Sequence, residues 1–285
     1  MPTIMVEPAT HFHLKALPRA AMQMLGASWQ NMALFVAGNT LLGVLGATVL
    51  SDVSMGFLIT LFGALALYCV WLKAMYRSVG LGDADHGIAK PILRLMWAHI
   101  LVAFILAVAL SILMLGIVLA LQVMLIAAGM NTDNFPETTD AFMAFLVDTG
   151  VIWPAGALLA LMFVGFVFLC VRLWLFSAAT IDHGGVRVFQ TWPWTKGNAL
   201  ALSLAVGLFV VLPLILGEAA YRTLFGWPEF TVQDDGVVLL TIGVGEALLR
   251  ALFQSLEVVI PAIFAAAISA TAYGTWGQSS PGTNA

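Results

Sequence analysis

The sequence predicts an all-α fold, a polytopic bundle of membrane-spanning helices, from its composition, its hydropathy and its pattern of apolar stretches. Of the 285 residues, 61% are apolar and 9% are charged, whereas soluble domains are about 45–50% apolar and about 25% charged. The mean hydropathy is +1.01. Several apolar stretches exceed the roughly 18 residues needed to cross a hydrocarbon core of about 30 Å. These observations exclude a soluble globular domain.

Six transmembrane helices are predicted. They cover residues 32–50, 55–76, 97–128, 151–177, 200–217 and 246–272. A tight link joins the first two, and the apolar patch 141–147 is too short to span. The chain accordingly divides into a cytoplasmic N-terminal segment (1–31), a six-helix transmembrane domain (32–273) and a Gly-, Ser-, Thr- and Pro-rich cytoplasmic tail (274–285), which we expect to be disordered.

Basic residues concentrate in alternate links, which predicts the orientation of the helices. The links on one side, together with the adjoining ends of the spans, carry Lys15, Arg19, Lys73, Arg77, Lys90, Arg94, Arg172, Arg187 and Lys196. Arg222 is the only basic residue in the links on the other side, which carry many acidic residues. Both termini are therefore predicted to be cytoplasmic. The formal net charge of −4 lacks the basic footprint of a nucleic-acid-binding protein, so the predicted partners are membrane lipids and other membrane proteins.

Two of the cytoplasmic links resemble each other. A shift of 97 positions aligns Asp85 and His86 with Asp182 and His183, and Trp97 with Trp194. The segment 14–29 resembles a third, degenerate copy, because its apolar residues recur at helical spacing. The repeat predicts three elbow-hairpin units, each beginning with an amphipathic helix, or elbow, that lies in the cytoplasmic interface.

A short motif leads into the fifth predicted span. The segment 192–198, WPWTKGN, resembles a Trp-x-Leu-Thr-Lys/Arg-Gly-Asn signature through Trp192, Thr195, Lys196, Gly197 and Asn198. That signature is typical of uncharacterised bacterial multi-helix inner-membrane proteins, which are similar to the membrane domain attached to some glycerophosphodiester phosphodiesterases. The resemblance implies a stand-alone helical protein of the bacterial inner membrane. Phosphodiesterase activity is not implied, because the chain has no soluble domain to carry that site.

The sequence contains none of the common catalytic, phosphate-binding or cofactor motifs, so no cofactor is predicted. The carboxylates and imidazoles of Asp85, His86, Asp182 and His183 are potential ligands for a divalent metal. Asp is also an ordinary helix cap and Gly an ordinary turn residue. We favour the structural interpretation and predict no metal site.

The last predicted span carries an unusual stripe of polar residues. Glu246, Arg250, Gln254 and Glu257 share one helical face at about 100° per residue. Ionisable groups that face lipid cost at least about 2.5 kcal/mol each, so the stripe is expected to face the bundle interior. Pro261 has no amide hydrogen to donate to the Glu257 carbonyl. Two interpretations stay open, a cation or proton site at Glu257 and a polar seam that fixes helix register.

Three functional classes are compatible with these features. The leading hypothesis is a membrane protein that acts by binding, as a scaffold, an accessory subunit or through lipid contact, without catalysis of its own. The second is a transporter or channel with its polar site around Glu257, since repeats and intramembrane polar sites are common in transporters. The third is a membrane-embedded lipid enzyme, which only the phosphodiesterase-associated resemblance favours.

Overall fold

The computed structural model describes most of the chain in two compact units. The described residues are 14–48, 53–82, 87, 89–130, 139–195, 198–226, 230–232, 238–240 and 243–276. The first unit comprises Met1–Ile100 and Leu173–Ala285, and the second comprises Leu101–Arg172.

The described elements are almost all helices, which confirms the all-α prediction. The first five helices are α1 (Leu17–Thr48), α2 (Val53–Ser78), α3 (Ala89–Ala127), α4 (Thr139–Asp148) and α5 (Ile152–Leu173). They are followed by α6 (Phe176–Asp182), α7 (Thr191–Trp194), α8 (Ala199–Val206), α9 (Leu212–Phe225), α10 (Val244–Glu257) and α11 (Val259–Trp276). Between α9 and α10, the strands β1 (Phe230–Val232) and β2 (Val238–Leu240) form a small antiparallel pair, with Thr231 opposite Leu239.

Five helical segments among the described residues are long and apolar enough to cross a membrane. They are Phe57–Ser78, Ala89–Ala127, Ile152–Asp182, Ala199–Phe225 and Val244–Trp276, and they correspond to the second to sixth predicted spans. The chain therefore has the helices of a membrane protein. Helix α1 is not among the five, and the last residues of the first predicted span, 49–50, lie outside the described part of the chain. The count of six stays a prediction.

The N-terminal elbow and the first predicted span are one continuous helix, α1, rather than two elements. Leu17, Ala21 and Met24 are buried, as their spacing predicts. Their face packs on α2, however, where Gln23 Nε2 donates to the Ser78 carbonyl at 3.0 Å. The helix continues because no residue between the two segments breaks it. The last helix also extends further than predicted, because α11 continues to Trp276, whereas the tail was predicted to begin at residue 274.

Close helix contacts organise the first unit. Helices α1 and α2 pack antiparallel, with Trp71 Nε1 donating to Ser28 Oγ at 3.1 Å near one end. On its other side α1 approaches α10 so closely that a Cβ built on Gly43 lies 2.8 Å from the Ala251 Cβ. Small residues allow such approach between membrane helices. The core of this unit is built largely from α1, α2, α6 and α11.

Two helical segments of the first unit are interrupted. A π-helical turn, Gly207–Val211, separates α8 from α9. Helix α10 ends at Glu257, four residues before Pro261, and the helix resumes when Ala262 N donates to the Val258 carbonyl at 2.9 Å. The cause is the missing amide hydrogen of Pro261, which leaves the Glu257 carbonyl without its helical partner. The sixth predicted span is therefore two helices with a break at Val258.

The second unit contains most of α3 together with α4 and α5. Helix α4 coincides with the apolar patch that is too short to span. Its Leu146 joins Leu125, Met130 and Val151 in a small apolar core. A narrow apolar crevice between α3 and α5 has a volume of about 30 Å³. This volume has room for about two water molecules.

Candidate functional site

One end of the first unit collects basic side chains. The start of α1 lies beside the end of α2, where Gln23 bonds Ser78, and Lys73 Nζ donates to the Gly87 carbonyl at 2.6 Å. We define this end as the basic end by the side chains found there. They are Arg19 and Arg77, near the Gln23–Ser78 contact, Lys90 and Arg94 at the start of α3, and Arg187 in the turn whose Gly184 lies against Arg94. The opposite end carries Glu218 and Glu246, each bonded to an arginine one turn later.

The structure joins Asp182 and His183 through a tyrosine that the sequence reasoning missed. Tyr273 Oη lies 2.7 Å from Asp182 Oδ2 and 2.9 Å from His183 Nδ1. A phenol has one proton, so it donates to the carboxylate and accepts from the imidazole Nδ1–H. The side chain of Tyr273 is 1% exposed. In the sequence, the signal for this contact was the polar hydroxyl of Tyr273 at the end of the last apolar stretch.

The turn after α6 is held in place by several contacts. The ring of Trp194 stacks on His183 at a centroid distance of 6.3 Å. Gly184 has φ +62°, a left-handed conformation that favours glycine. The amide of Arg187 donates to Thr180 Oγ1 at 3.3 Å. Asp182 and His183 therefore belong to an ordered, hydrogen-bonded turn at the basic end.

The second copy of the predicted repeat does not share this structure in its described part. Asp85 and His86 lie outside the described residues. Trp97, the counterpart of Trp194, lies within the long helix α3 and is 64% exposed. Trp194 instead ends the one-turn helix α7. The elbow-hairpin units are therefore not confirmed, because Asp85 and His86 lie outside the described residues and Trp97 and Trp194 lie in different local structures.

The family-like motif forms a turn that leads into α8. Thr195 is buried, and its Oγ1 donates to the Trp192 carbonyl at 3.1 Å. The amide of Asn198 donates to the Thr195 carbonyl at 3.2 Å, and α8 begins at the next residue. Trp192 is exposed. Lys196 and Gly197 lie outside the described residues.

The polar stripe of α10 divides between two environments. Arg250 is 9% exposed and donates from Nη2 to the Phe225 carbonyl at 2.7 Å. Glu246 accepts from Arg250 Nε at 2.8 Å but is itself exposed, as is Gln254. The expectation that all four residues face the bundle interior therefore holds for Arg250 and partly for Glu257. The reason is that α10 turns a different face, that of Ala247, Ala251 and Ser255, toward the core.

Arg250 is surrounded by aromatic rings from α9 and α10. Its guanidinium carbon lies 5.4 Å from the ring centre of Phe225 and 5.9 Å from that of Tyr221. Tyr221 and Phe253 are in turn 6.0 Å apart between centroids. An arginine over aromatic faces is stabilised by a cation–π interaction, which is stronger away from water. Arg250 is thus a structural clamp between α9 and α10.

Glu257 lies at the break between α10 and α11. Its Oε2 is enclosed and makes no hydrogen bond with any residue that the structure describes. A Cβ built on Gly217 lies 3.2 Å from this oxygen, so α9 passes close to the carboxyl group. Glu218 is the next residue along α9 and is engaged by Arg222. The carboxyl group of Glu257 is therefore held between two interrupted helical segments.

A polar contact between α1 and α10 was not predicted. Asn39 Nδ2 donates to Ser255 Oγ at 2.9 Å, and Thr40 Oγ1 lies 3.2 Å from the same oxygen. Ser255 in turn donates to the Ala251 carbonyl at 2.6 Å. Polar residues within apolar stretches were the available signal. The three side chains form a polar contact between the two helices.

Metal-ligand chemistry finds little support in the described part of the chain. Within it, no three His, Cys, Asp or Glu side chains gather closely enough to hold a metal ion. Asp85 and His86 fall outside that part, so the joint Asp-His-Gly site weighed from the sequence is untested. Asp182 and His183 are instead engaged with Tyr273.

The comparisons with known proteins give no match. No family model fits the chain, no curated protein is similar to it, and no solved structure resembles it. The resemblance of the segment 192–198 to the phosphodiesterase-associated membrane family therefore stays a prediction.

Proposed function

We propose that this protein is an integral membrane protein that acts by binding, without catalysis of its own, and that its basic end contacts anionic lipid headgroups. The observation that carries the proposal is the gathering of Arg19, Arg77, Lys90, Arg94 and Arg187 from separate segments at that end. Basic side chains near a membrane surface attract anionic lipids by about 1 kcal/mol each. A scaffold or accessory subunit uses such contacts to hold its place beside partner membrane proteins.

The proposed topology has six crossings with both termini in the cytoplasm. Helix α1 runs beside α2 from Gln23, which bonds Ser78, to Leu42, which lies 2.7 Å from a Cβ built on Gly63. The segment Phe57–Ser78 of α2 is long and apolar enough to span a membrane. Since α1 runs antiparallel beside it, we place α1 across the same hydrocarbon layer. Basic residues favour the cytoplasmic side. The bacterial inner membrane is the location that the motif at 192–198 implies.

The proposal is tested by identifying the lipids that stay with the protein. The full chain is purified in mild detergent, and the copurified lipids are compared by mass spectrometry with the total lipid of the same membranes. Enrichment of anionic over zwitterionic lipids is expected. The triple replacement of Arg94, Arg187 and Lys196 by Gln should weaken this retention by roughly 1 kcal/mol per charge. Arg222→Gln, at the opposite end, is the matched control, and no enrichment in the wild type would refute the proposal.

Transport is the second candidate, favoured by the surroundings of Glu257. Interrupted helices that meet at a polar site are a recurrent feature of transporters. Here the segment with the π-helical turn packs against α11, as Phe209 stacks on Phe264 at 4.9 Å. The enclosed Oε2 of Glu257 lies beside Gly217 of the same segment. In this alternative Glu257 carries a proton or binds a cation.

A further inference from the structure

The carboxyl group of Glu257 lies against α9 at the joint between α10 and α11. Its Oε2 is buried and forms no hydrogen bond with any residue that the structure describes. A Cβ built on Gly217 lies 3.2 Å from this oxygen and 3.2 Å from the Glu257 Cβ, so α9 covers the group directly. The residue as a whole is partly exposed. The side chain is therefore covered by α9 without being sealed inside the protein.

The charged side chains of the neighbouring helices do not neutralise Glu257. Arg250 lies two turns earlier in the same helix, where it bonds Glu246 and a backbone carbonyl. On α9, Glu218 follows the glycine that covers Glu257 and is paired with Arg222. Helix α11 carries no acidic or basic residue. Each arginine of α9 and α10 thus has its own glutamate, and Glu257 is the carboxyl group of these two helices that is left over.

The surroundings of Glu257 suit a proton better than a metal cation. Ca²⁺ and Mg²⁺ take about six or more oxygen ligands, but the residue of α9 that covers the carboxyl group, Gly217, has no side chain to supply one. Within the described part of the chain, no three His, Cys, Asp or Glu side chains gather closely enough to hold a metal ion. A proton needs a single oxygen, and a buried acid that becomes neutral avoids the cost of desolvating its charge.

We propose that Glu257 is a proton-binding site whose carboxyl group is protonated at neutral pH and exchanges its proton with water. When the O–H bond breaks, water takes the proton and the ionised group faces Gly217 without a counter-charge. The neutral form is therefore the one that fits the contact with α9. The inference deepens the transport alternative, on which it rests for the membrane placement of α10, by naming the proton as the ligand. It is independent of lipid binding at the basic end.

The first test detects the proton by infrared spectroscopy. The full chain is reconstituted into phosphatidylcholine vesicles, and spectra of the wild type and of Glu257→Gln are compared at neutral pH. The difference is expected to contain the C=O band of a protonated carboxylic acid, which shifts in D₂O because the proton exchanges. Glu218→Gln is the matched control, since Glu218 is paired with Arg222, and it should remove only the bands of an ionised carboxylate. A Glu257→Gln difference that shows only an ionised carboxylate would overturn the proposal.

The second test separates a proton from a metal cation. N,N′-dicyclohexylcarbodiimide is an apolar reagent that reacts with protonated carboxylic acids, and mass spectrometry locates the labelled residue. Glu257 should be labelled in the wild type, and Glu218 should not. An excess of Na⁺, K⁺ or Ca²⁺ should leave the extent of labelling unchanged. Protection of Glu257 by one of these cations would assign the site to that cation and refute the proton.

The contact with α9 is tested by the addition of one methyl group. Gly217→Ala would place a Cβ 3.2 Å from Oε2, so the carboxyl group has to move and its C=O band should shift. Gly165→Ala, in α5, meets open space and should leave the band unchanged. Melting temperatures establish that both variants are folded. An unshifted band in folded Gly217→Ala would contradict the covered oxygen on which the site depends.

The outcomes separate this site from the proposed function. A wild type without the protonated carboxyl band would refute the site and leave lipid binding standing, because the lipid measurement does not involve Glu257. A wild type that shows the band but no enrichment of anionic lipids would refute the proposed function and keep the site.

Discussion

Tyr273 donates a hydrogen bond to Asp182 at 2.7 Å and thereby ties the end of the last helix, α11, to the end of α6. The two residues are 91 positions apart in the chain. The same hydroxyl accepts from His183, so one buried oxygen connects three side chains. The contact closes the first unit at its basic end and orients the turn that carries Arg187.

We expect Tyr273→Phe to lower the stability of the protein by about 1.5–3 kcal/mol, since a hydrogen bond to a charged group contributes about that much. The change leaves the Asp182 carboxylate and the His183 imidazole without their shared partner. The measurement is the melting temperature in detergent. Tyr76→Phe is the matched control, because Tyr76 bonds neutral serine hydroxyls, among them Ser177 Oγ at 2.6 Å, and should cost less. Equal losses would contradict a special role for the Asp182 contact.

Two similar ion pairs should differ strongly in their contribution to stability. Arg250→Gln removes a buried charge that bonds Glu246 and the Phe225 carbonyl, so we expect a loss of about 2 kcal/mol. Arg222→Gln breaks the equivalent pair with Glu218, which is partly exposed, and should cost about 0.5 kcal/mol or less. Melting temperatures of the two variants decide this. If Arg222→Gln proves the more damaging, the clamp assigned to Arg250 is incorrect.

The two interpretations of Glu257 predict opposite results for Glu257→Gln. The change keeps the volume and removes the charge. In a transporter it should abolish cation or proton flux in proteoliposomes while the fold stays intact. In a polar seam it should be neutral or stabilising, because a charge enclosed in the bundle costs several kcal/mol to desolvate. A wild type without flux, combined with a Glu257→Gln melting point at or above that of the wild type, would exclude transport.

The close approach of α1 and α10 predicts a strong effect of one methyl group. Gly43→Ala places a Cβ 2.8 Å from the Ala251 Cβ. This distance is shorter than a van der Waals contact, so we expect the free energy of unfolding to fall by about 1–3 kcal/mol. Gly26→Ala, in the same helix, meets open space and should instead be stabilising by about 0.5–1 kcal/mol. Melting temperatures of the two variants test the contact. A neutral Gly43→Ala would mean that the two helices are farther apart.

The proposed orientation is tested with introduced cysteines and a membrane-impermeant maleimide. Gln190→Cys is exposed at the basic end and should react only after the cells are opened. Asn134→Cys, in the link after the third predicted span and outside the described residues, should react in intact cells. The unmodified protein is the control, because Cys69 is buried and Cys170 partly buried. Labelling of Gln190→Cys in intact cells would reverse the orientation.

Features set by local physics were predictable from the sequence. Apolar stretches gave the positions of five helices that can span, and Pro261 gave the free carbonyl at which α10 ends. The boundary between elbow and span was not predictable, because helix formation in α1 continues wherever no residue breaks it. Contacts between distant residues were also missed. Asn39 and Ser255 are 216 positions apart, and periodicity alone does not assign partners across such a separation.

The break at Val258 divides the last crossing into two rods of unequal length. At about 1.5 Å per residue, the 18 residues of α11 extend about 27 Å and the 14 residues of α10 about 21 Å. Together they exceed a hydrocarbon thickness of about 30 Å, and a bend costs least where a backbone hydrogen bond is already missing. We therefore expect a thinner or thicker bilayer to be accommodated by the angle at this joint, while the Tyr273 contact keeps α11 anchored. The depth of the Glu257 carboxyl group in the membrane would then follow the thickness of the surrounding lipid.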